Sequence, residues 1–133
     1  MYMLDTDICI YIIKKRPANL LEKFNAIPPD TLCISTITYA ELQYGVERSS
    51  SKKMNQRILA DFVAHLAVQP WDVEAARQYG KIRTSLEKRG KPIGNMDLLI
   101  AAHALSQQCI LVSNNLREFS RIQGLQCENW VFG

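Results

Sequence analysis

The sequence contains no long hydrophobic run and carries little net charge. A membrane-spanning helix needs about 18 consecutive apolar residues, and no stretch of this chain approaches that length. Among the 133 residues, 16 Lys and Arg against 13 Asp and Glu leave a net charge of +3. With 47% hydrophobic and 22% charged residues, the composition excludes a disordered or collagen-like chain. We expect residues 1–133 to form one domain with no membrane association.

Cysteine and histidine are too few and too scattered to form a zinc site. The four cysteines include no Cys-x-x-Cys pair, and only His103 stands near one of them, six residues before Cys109. We therefore interpret the cysteines as small core residues in a reducing compartment. The first seven residues include acids where a signal peptide carries positive charge, which predicts a cytoplasmic protein.

Several catalytic motifs are also missing. The chain has no Walker loop, no Gly-x-Gly-x-x-Gly, no Gly-x-Ser-x-Gly and no His-Glu-x-x-His. These absences disfavour a P-loop nucleotidase, a serine hydrolase and a zinc hydrolase. His65 and His103 both lie in apolar helical stretches, and we interpret each as a packed or surface histidine without a catalytic role.

The pattern that is present alternates short apolar strands with amphipathic helices. The predicted strands cover residues 2–4, 31–35, 68–71, 109–113 and 125–130. The predicted helices cover residues 8–13, 20–24, 38–45, 52–66, 72–89, 96–107 and 117–121. Thr38 and Glu41 have the spacing of a capping box, which predicts that the third helix begins there. The alternation indicates an α/β fold with a parallel sheet covered on both faces.

Polar side chains follow several of these strands. Asp5 and Asp7 follow the first strand, Glu41 opens the helix after the second, and Ser113 and Asn115 follow the fourth. Because ligands bind beyond the carboxyl ends of parallel strands, we expect these side chains to share one edge of the sheet. Topology alone does not place Asp97, which lies in the first turn of a helix that leads into a strand.

These acids have two interpretations. Each of them can be structural, because helix N-termini favour acidic caps. Four carboxylates at close range would, however, repel one another and raise their pKa values unless a cation lay among them. Oxygen-only ligands select Mg²⁺ or Mn²⁺ over zinc, and such an ion activates water against a phosphoryl group.

The basic residues near Asp97 also have two interpretations. Lys88, Arg89 and Lys91 lead through Pro92 to Asp97, whereas other basic clusters stand at residues 14–16 and 52–53. A charge run is usually a solvated face. This cluster could instead bring a phosphate backbone up to the acids.

Four segments, in order, together resemble the PIN-domain ribonucleases, and specifically the VapC toxins of bacterial toxin–antitoxin pairs. The segments are Met3–Ile8 (MLDTDI), Tyr39–Gly45 (YAELQYG), Arg89–Ala104 (RGKPIGNMDLLIAAHA) and Leu111–Phe119 (LVSNNLREF). The similarity runs from residue 1 to residue 130, which is nearly the whole chain.

The resemblance implies a three-layer α/β/α sandwich and an endoribonuclease that depends on Mg²⁺ or Mn²⁺. Carried over by position, the catalytic residues would be Asp5, Glu41, Asp97 and Asn115, with the first three as metal ligands. Secondary candidates are Asp7, Ser113 and Glu118, and the residues expected to bind RNA are Lys88, Arg89 and Lys91.

The family also implies partners. These are an RNA substrate, possibly a tRNA, a second copy in a homodimer, and a VapB-type antitoxin whose C-terminal segment enters the active-site groove. The antitoxin's DNA-binding part represses the shared operon.

Two positions depart from the family pattern. Close relatives generally have Asn where this chain has Asp7, and many PIN domains have Asp where it has Asn115. Asp7 could partly replace the charge that is missing at Asn115, or could reduce activity.

Two other functions compete with this one. The segment Asp5-Thr6-Asp7 fits the Asp-x-Asp signature of haloacid-dehalogenase-like phosphatases, with Asp5 as a nucleophile and residues 34–36 as a second motif. The chain is short for such an enzyme with a cap, and Asp97 lies on a helix. The second of these functions is that of a non-catalytic RNA-binding module, in which the acids would be structural.

Overall fold

The computed structural model describes residues 1–131. The strands are β1 (Tyr2–Leu4), β2 (Leu32–Ser35), β3 (Ala67–Gln69), β4 (Ile110–Val112) and β5 (Cys127–Glu128). The helices are α1 (Thr6–Ile13), α2 (Ala18–Ala26), α3 (Thr36–Glu47), α4 (Lys52–Val63), α5 (Val73–Lys88), α6 (Asn95–Ser106) and α7 (Leu116–Phe119), and a 3₁₀ turn covers Pro29–Thr31.

The strands form one parallel sheet in the order β3-β2-β1-β4-β5. Tyr2 of β1 is in register with Leu32 on one side and with Ile110 on the other. The first strand of the chain therefore lies at the centre, so that the segments after β1, β2 and β4 leave the sheet side by side at its carboxyl edge. This arrangement confirms the predicted parallel sheet.

Side-chain alternation along the strands builds two cores, one on each face of the sheet. In β1, Met3 packs into the core under α5 and α6, whereas Leu4 packs into the core under α1 to α4. Leu111 and Val112 of β4 divide in the same way, because neighbouring residues of a strand point to opposite faces. Helices on both faces give the expected three-layer α/β/α sandwich.

The predicted start of the third helix is wrong. Ser35 caps α3, its hydroxyl accepting a hydrogen bond from the backbone N–H of Ile37 at 3.0 Å, and the helix runs from Thr36 to Glu47. Thr38 is buried within the helix instead of capping it. Ser35 takes this role because the last residue of β2 already has the extended backbone that an N-cap requires.

Other boundaries also differ from the prediction. Helix α1 begins at Thr6 with Asp5 as its cap, so the predicted acidic turn is the first turn of the helix. Strand β3 ends at Gln69, since the next residue, Pro70, has no N–H for a strand ladder. The last strand is reduced to Cys127–Glu128.

The structure confirms the packing predicted for cysteine and histidine. All four cysteines are unpaired, three of them buried and Cys127 half-buried. His103 is fully buried and His65 is exposed. Within residues 1–131, the helices are too short or too polar to cross a membrane.

Replacing Ser35 tests the role of this residue in the fold. The Ser35 hydroxyl also bonds the buried His103 ring at 2.7 Å, so Ser35→Ala removes a helix cap and leaves a buried nitrogen unpaired. We expect the free energy of unfolding to fall by about 2–4 kcal/mol in urea denaturation. Ser51→Ala is the matched control, because Ser51 caps α4 without a side-chain hydrogen bond. Equal losses in the two variants would contradict this account.

Candidate active site

Asp5 lies at the centre of the carboxyl edge and is only 5% exposed. Its Oδ1 accepts a hydrogen bond from the Thr6 N–H at 2.8 Å, and its Oδ2 accepts one from the Ser113 hydroxyl at 2.7 Å. Its backbone N–H donates to the carbonyl of Val112 at 2.8 Å, continuing the pairing of β1 with β4. Burial, together with the nearby charge of Asp7, raises the pKa of Asp5 to about 7.

Asp7 lies in the first turn of α1. Its Oδ1 accepts from the Ile8 N–H at 2.7 Å, and its Oδ2 accepts from the Asn114 N–H at 3.2 Å. Burial raises the pKa of Asp7 as well. Asp7 therefore joins α1 to the loop after β4, and it adds negative charge beside Asp5.

Glu41 reaches the site from the second turn of α3. Its Oε1 accepts a hydrogen bond from the Thr6 hydroxyl at 2.6 Å, and the same hydroxyl lies 3.4 Å from that of the buried Thr38. Thr6 is thus a contact between α1 and α3 that the sequence analysis did not identify. Its position between two acids could have pointed to the site, but only the fold shows that its hydroxyl meets Glu41.

Asp97, which the sequence left unplaced, lies at the carboxyl edge of the sheet. The charges of Asp5, Glu118 and Glu41 all raise the pKa of Asp97, so α6 brings it to the same edge of the sheet as the other acids. Burial and a hydrogen bond with Glu118 raise the pKa of Asp97 to about 7, and the same hydrogen bond lowers the pKa of Glu118. Asp97 and Glu118 therefore lie close enough for each carboxyl group to shift the pKa of the other.

Asn115 connects the two halves of this cluster. Its Nδ2 donates to Asp97 Oδ2 at 3.3 Å and to Glu118 Oε2 at 3.2 Å. Its backbone N–H donates to the Ser113 hydroxyl at 2.8 Å, and that hydroxyl donates to Asp5. The loop after β4 thereby holds Asp5 and Asp97 in fixed positions relative to each other.

The donor chemistry of the cluster fits a hard divalent cation. Its acids offer oxygen atoms only, as Mg²⁺ and Mn²⁺ prefer. Burial and mutual repulsion raise the pKa values of Asp5 and Asp97 in the metal-free protein, and a cation among them would relieve both effects. Within the described chain, no three His, Cys, Asp or Glu side chains converge closely enough to hold an ion as they now stand. Binding would therefore require side-chain rotation. Glu41 is the best placed for it, because its carboxylate has a hydrogen bond only from Thr6 among residues 1–131.

The predicted RNA-binding residues are exposed at the end of α5 and in the loop that follows it. Lys88 ends the helix, Arg89 caps it and Lys91 lies in the loop to α6. Arg89 donates to the carbonyl of Arg121 at 2.7 Å, and Arg121 donates to the carbonyl of Pro92 at 3.0 Å. These bonds fasten the loop to the segment after α7, next to the cluster.

Burial, together with repulsion within the cluster, raises the pKa of Asp97 and makes stability depend on pH. The pKa of Asp97 rises from 3.8 to about 7 on folding, so the folded chain binds an additional proton between these values. In EDTA, we expect the free energy of unfolding to fall as the pH rises from about 4 to about 7. Asp97→Asn should lessen this fall and be more stable than the parent at pH 7. Parallel stability curves for the two proteins, measured by urea unfolding, would contradict the raised pKa of Asp97.

Known proteins similar to this chain belong to the same family that the four sequence segments resemble. Residues 2–125 match the family model of the PIN domain. The chain is 48% identical over 130 residues to Ribonuclease VapC2 of Haemophilus influenzae, with 98% of both chains covered. It is 43% identical over 129 residues to the tRNA(fMet)-specific endonuclease VapC of Shigella flexneri, with 97% of both chains covered.

Solved structures agree with this assignment. The chain superposes on a chain of VapBC2 from Rickettsia felis, bound to a promoter DNA fragment, with a TM-score of 0.91 and 43% identity, covering 97% of this chain and 98% of the other. DNA-bound VapBC from Salmonella typhimurium gives the same TM-score and identity, with 97% of each chain covered. None of these similarities is to a haloacid-dehalogenase-like phosphatase, and that alternative is set aside. The chain belongs to the VapC ribonucleases of the PIN-domain family.

Proposed function

We propose that this protein is the toxin of a toxin–antitoxin pair and cuts RNA endonucleolytically with Mg²⁺ or Mn²⁺. The observation that carries the proposal is the cluster of Asp5, Glu41 and Asp97 at the carboxyl edge, with raised pKa values for the two aspartates. Asp5 is buried and Glu41 and Asp97 are half-buried, and such a group of acids is costly to the fold unless it serves a ligand. The site is therefore better explained by catalysis than by helix capping alone.

Asp5, Glu41 and Asp97 would hold the ion. When bound, it would polarise a phosphoryl oxygen and lower the pKa of water, which supplies a nucleophile for phosphodiester hydrolysis. Asn115, through its hydrogen bonds to Asp97 and Glu118, keeps the Asp97 carboxyl oriented. Ser113 orients the Asp5 carboxyl in the same way, through the hydrogen bond from its hydroxyl.

RNA would approach this edge along positive charge. We assign Lys88, Arg89 and Lys91 to the phosphate backbone. They stand at the end of α5 and in the loop that leads to Asp97, and hydrogen bonds hold this loop beside the segment after α7. The Shigella flexneri relative is named for its action on tRNA(fMet), so tRNA is the substrate class that we propose to test first. Cleavage of such an RNA would inhibit translation in the cytoplasm.

The expected protein partners follow from the similar structures. The Rickettsia felis and Salmonella typhimurium structures are VapBC complexes on DNA. We infer that this chain likewise binds a VapB-type antitoxin and reaches operator DNA through the antitoxin. We also propose that it forms the homodimer that the family resemblance implies.

Replacing the acids tests the catalytic assignment. Loss of a residue that only hydrogen-bonds a metal ligand lowers activity by about 10–100-fold. We expect Asp5→Asn, Glu41→Gln and Asp97→Asn each to slow cleavage of tRNA by more than this. Asn115→Ala should fall within that range. Glu47→Gln is the matched control, because Glu47 lies on the same helix as Glu41 but is exposed and pairs with Lys52. Circular dichroism would verify that each variant is folded.

Two results would contradict the assignment. Cleavage at the parental rate by any one acid variant removes that residue from the catalytic group. A parent protein that binds RNA but never cuts it, with either cation present, would be the non-catalytic binding module instead.

Metal binding has a readout that is independent of cleavage. An ion that binds only the folded chain, at 100 times its dissociation constant, raises the free energy of unfolding by about 2.7 kcal/mol. We expect Mg²⁺ or Mn²⁺ to stabilise the parent in urea and to have a much smaller effect on Asp97→Asn. Stabilisation of the parent by Zn²⁺ alone would show that the ligand assignment is wrong.

A further inference from the structure

A groove runs along the outer face of α5, away from the carboxylate cluster. Its volume is about 780 Å³. The residues that line it are Arg77, Gly80, Lys81, Thr84, Ser85, Lys88 and Arg89. They recur every three or four residues, so they lie on one face of the helix. None of them is acidic.

The groove carries positive charge that the protein does not neutralise. Among residues 1–131, Lys81, Lys88 and Arg89 take part in no salt bridge, whereas Arg77 pairs with Glu74. The other acid of α5, Glu87, lies near the end of the helix. It is 3.0 Å from Arg83 and does not line the groove. Such a row of cations attracts a polyanion.

The middle of the groove is open to close approach. Gly80 lies in the interior of α5, where glycine is unfavourable relative to alanine. A Cβ added at Gly80 would meet nothing within 4 Å, so core packing does not require the glycine. With the short side chains of Thr84 and Ser85 next to it, Gly80 gives the groove a shallow floor between flexible cations.

One end of the groove leads to the candidate active site. Lys88 and Arg89 line the groove and stand at the end of α5, where the loop that runs to Asp97 begins. Arg77 lies eleven residues before Lys88 in the helix. At about 1.5 Å per residue, this separation is about 16 Å along the helix axis. At about 3.4 Å per nucleotide, an RNA bound at the carboxylates must therefore continue for at least about five nucleotides, or fold back, to reach Arg77.

We propose that this groove is a second RNA-binding surface, which holds the phosphate backbone of a substrate segment remote from the bond that is cut. The proposal rests on the proposed ribonuclease function and adds a selection by length and fold. Contacts to phosphate carry no base sequence. The groove therefore favours long or folded RNA over short oligonucleotides, while the choice of the cleaved bond remains with the cluster.

The variant Arg77→Gln/Lys81→Gln tests this role, because neither residue lies near the acids. All proteins carry Glu41→Gln to prevent cleavage, and binding of a tRNA and of a three-nucleotide RNA, which is too short to span the groove, is measured against salt concentration. Each lost phosphate contact lowers the slope of log affinity against log salt by about 0.7, so the double variant should lose about 1.4 on tRNA. Its slope on the short RNA should not change.

Two further variants serve as controls. Lys52→Gln/Lys53→Gln removes the same charge from α4, on the opposite face of the sheet, and should keep the parental slope on both RNAs. Gly80→Ala keeps every charge and raises the floor of the groove. We expect it to weaken tRNA binding without lowering the melting temperature, which a loss of folding would not produce.

Three results would overturn the proposal: an unchanged slope on tRNA, an equal loss of slope on the short RNA, or a change of oligomeric state in the double variant during sedimentation. The last would identify the groove as an interface between copies of the chain. Loss of slope on duplex DNA alone would identify a DNA surface instead. Cleavage of the tRNA by the protein with Glu41 intact is measured in parallel, because its absence would refute the ribonuclease function without deciding the role of the groove.

Discussion

The hydrogen bond from the Ser113 hydroxyl to the Asp5 carboxylate joins the two strands on which the candidate site depends. It extends the pairing of β1 with β4 by one residue beyond the end of each strand, where the backbone bond from Asp5 to Val112 has already aligned them. The same hydroxyl accepts from Asn115, so the contact fixes both the first acid and the residue that orients Asp97. Parallel strands make this possible because their carboxyl ends meet at one edge.

The acids at this edge oppose the stability of the fold. Asp5 is almost fully buried, and Asp97 lies within range of three other carboxylates. Hydrogen bonds from Thr6, Ser113 and Asn115 reduce the cost of burying these charges but leave the repulsion between them. The cluster therefore has the charge and the oxygen atoms of the cation site proposed above, and the rest of the structure must hold it together against this repulsion.

Two bridges hold the helices that carry the acids. The buried His103 of α6 bonds Ser35, the cap of α3, at 2.7 Å. The indole of Trp71 donates to the carbonyl of Leu99 in α6 at 2.9 Å, while its backbone N–H donates to the Thr36 hydroxyl at the start of α3 at 3.1 Å. The helix with Asp97 and the helix with Glu41 are thus connected away from the acids themselves, by neutral groups that do not add to the repulsion.

The sequence by itself determined the class of fold, the parallel sheet and the edge at which Asp5, Glu41 and Asn115 meet, because strand and helix periodicity and the polarity of parallel strands are local properties. It did not determine the cap of α3, since Ser35 and Thr38 both suit an N-cap and only the end of β2 selects between them. It also left Asp97 unplaced and did not identify Thr6 as a contact. Those results depend on how α6 packs across the sheet and which hydroxyl then faces Glu41, and such contacts between distant segments exist only in the tertiary structure.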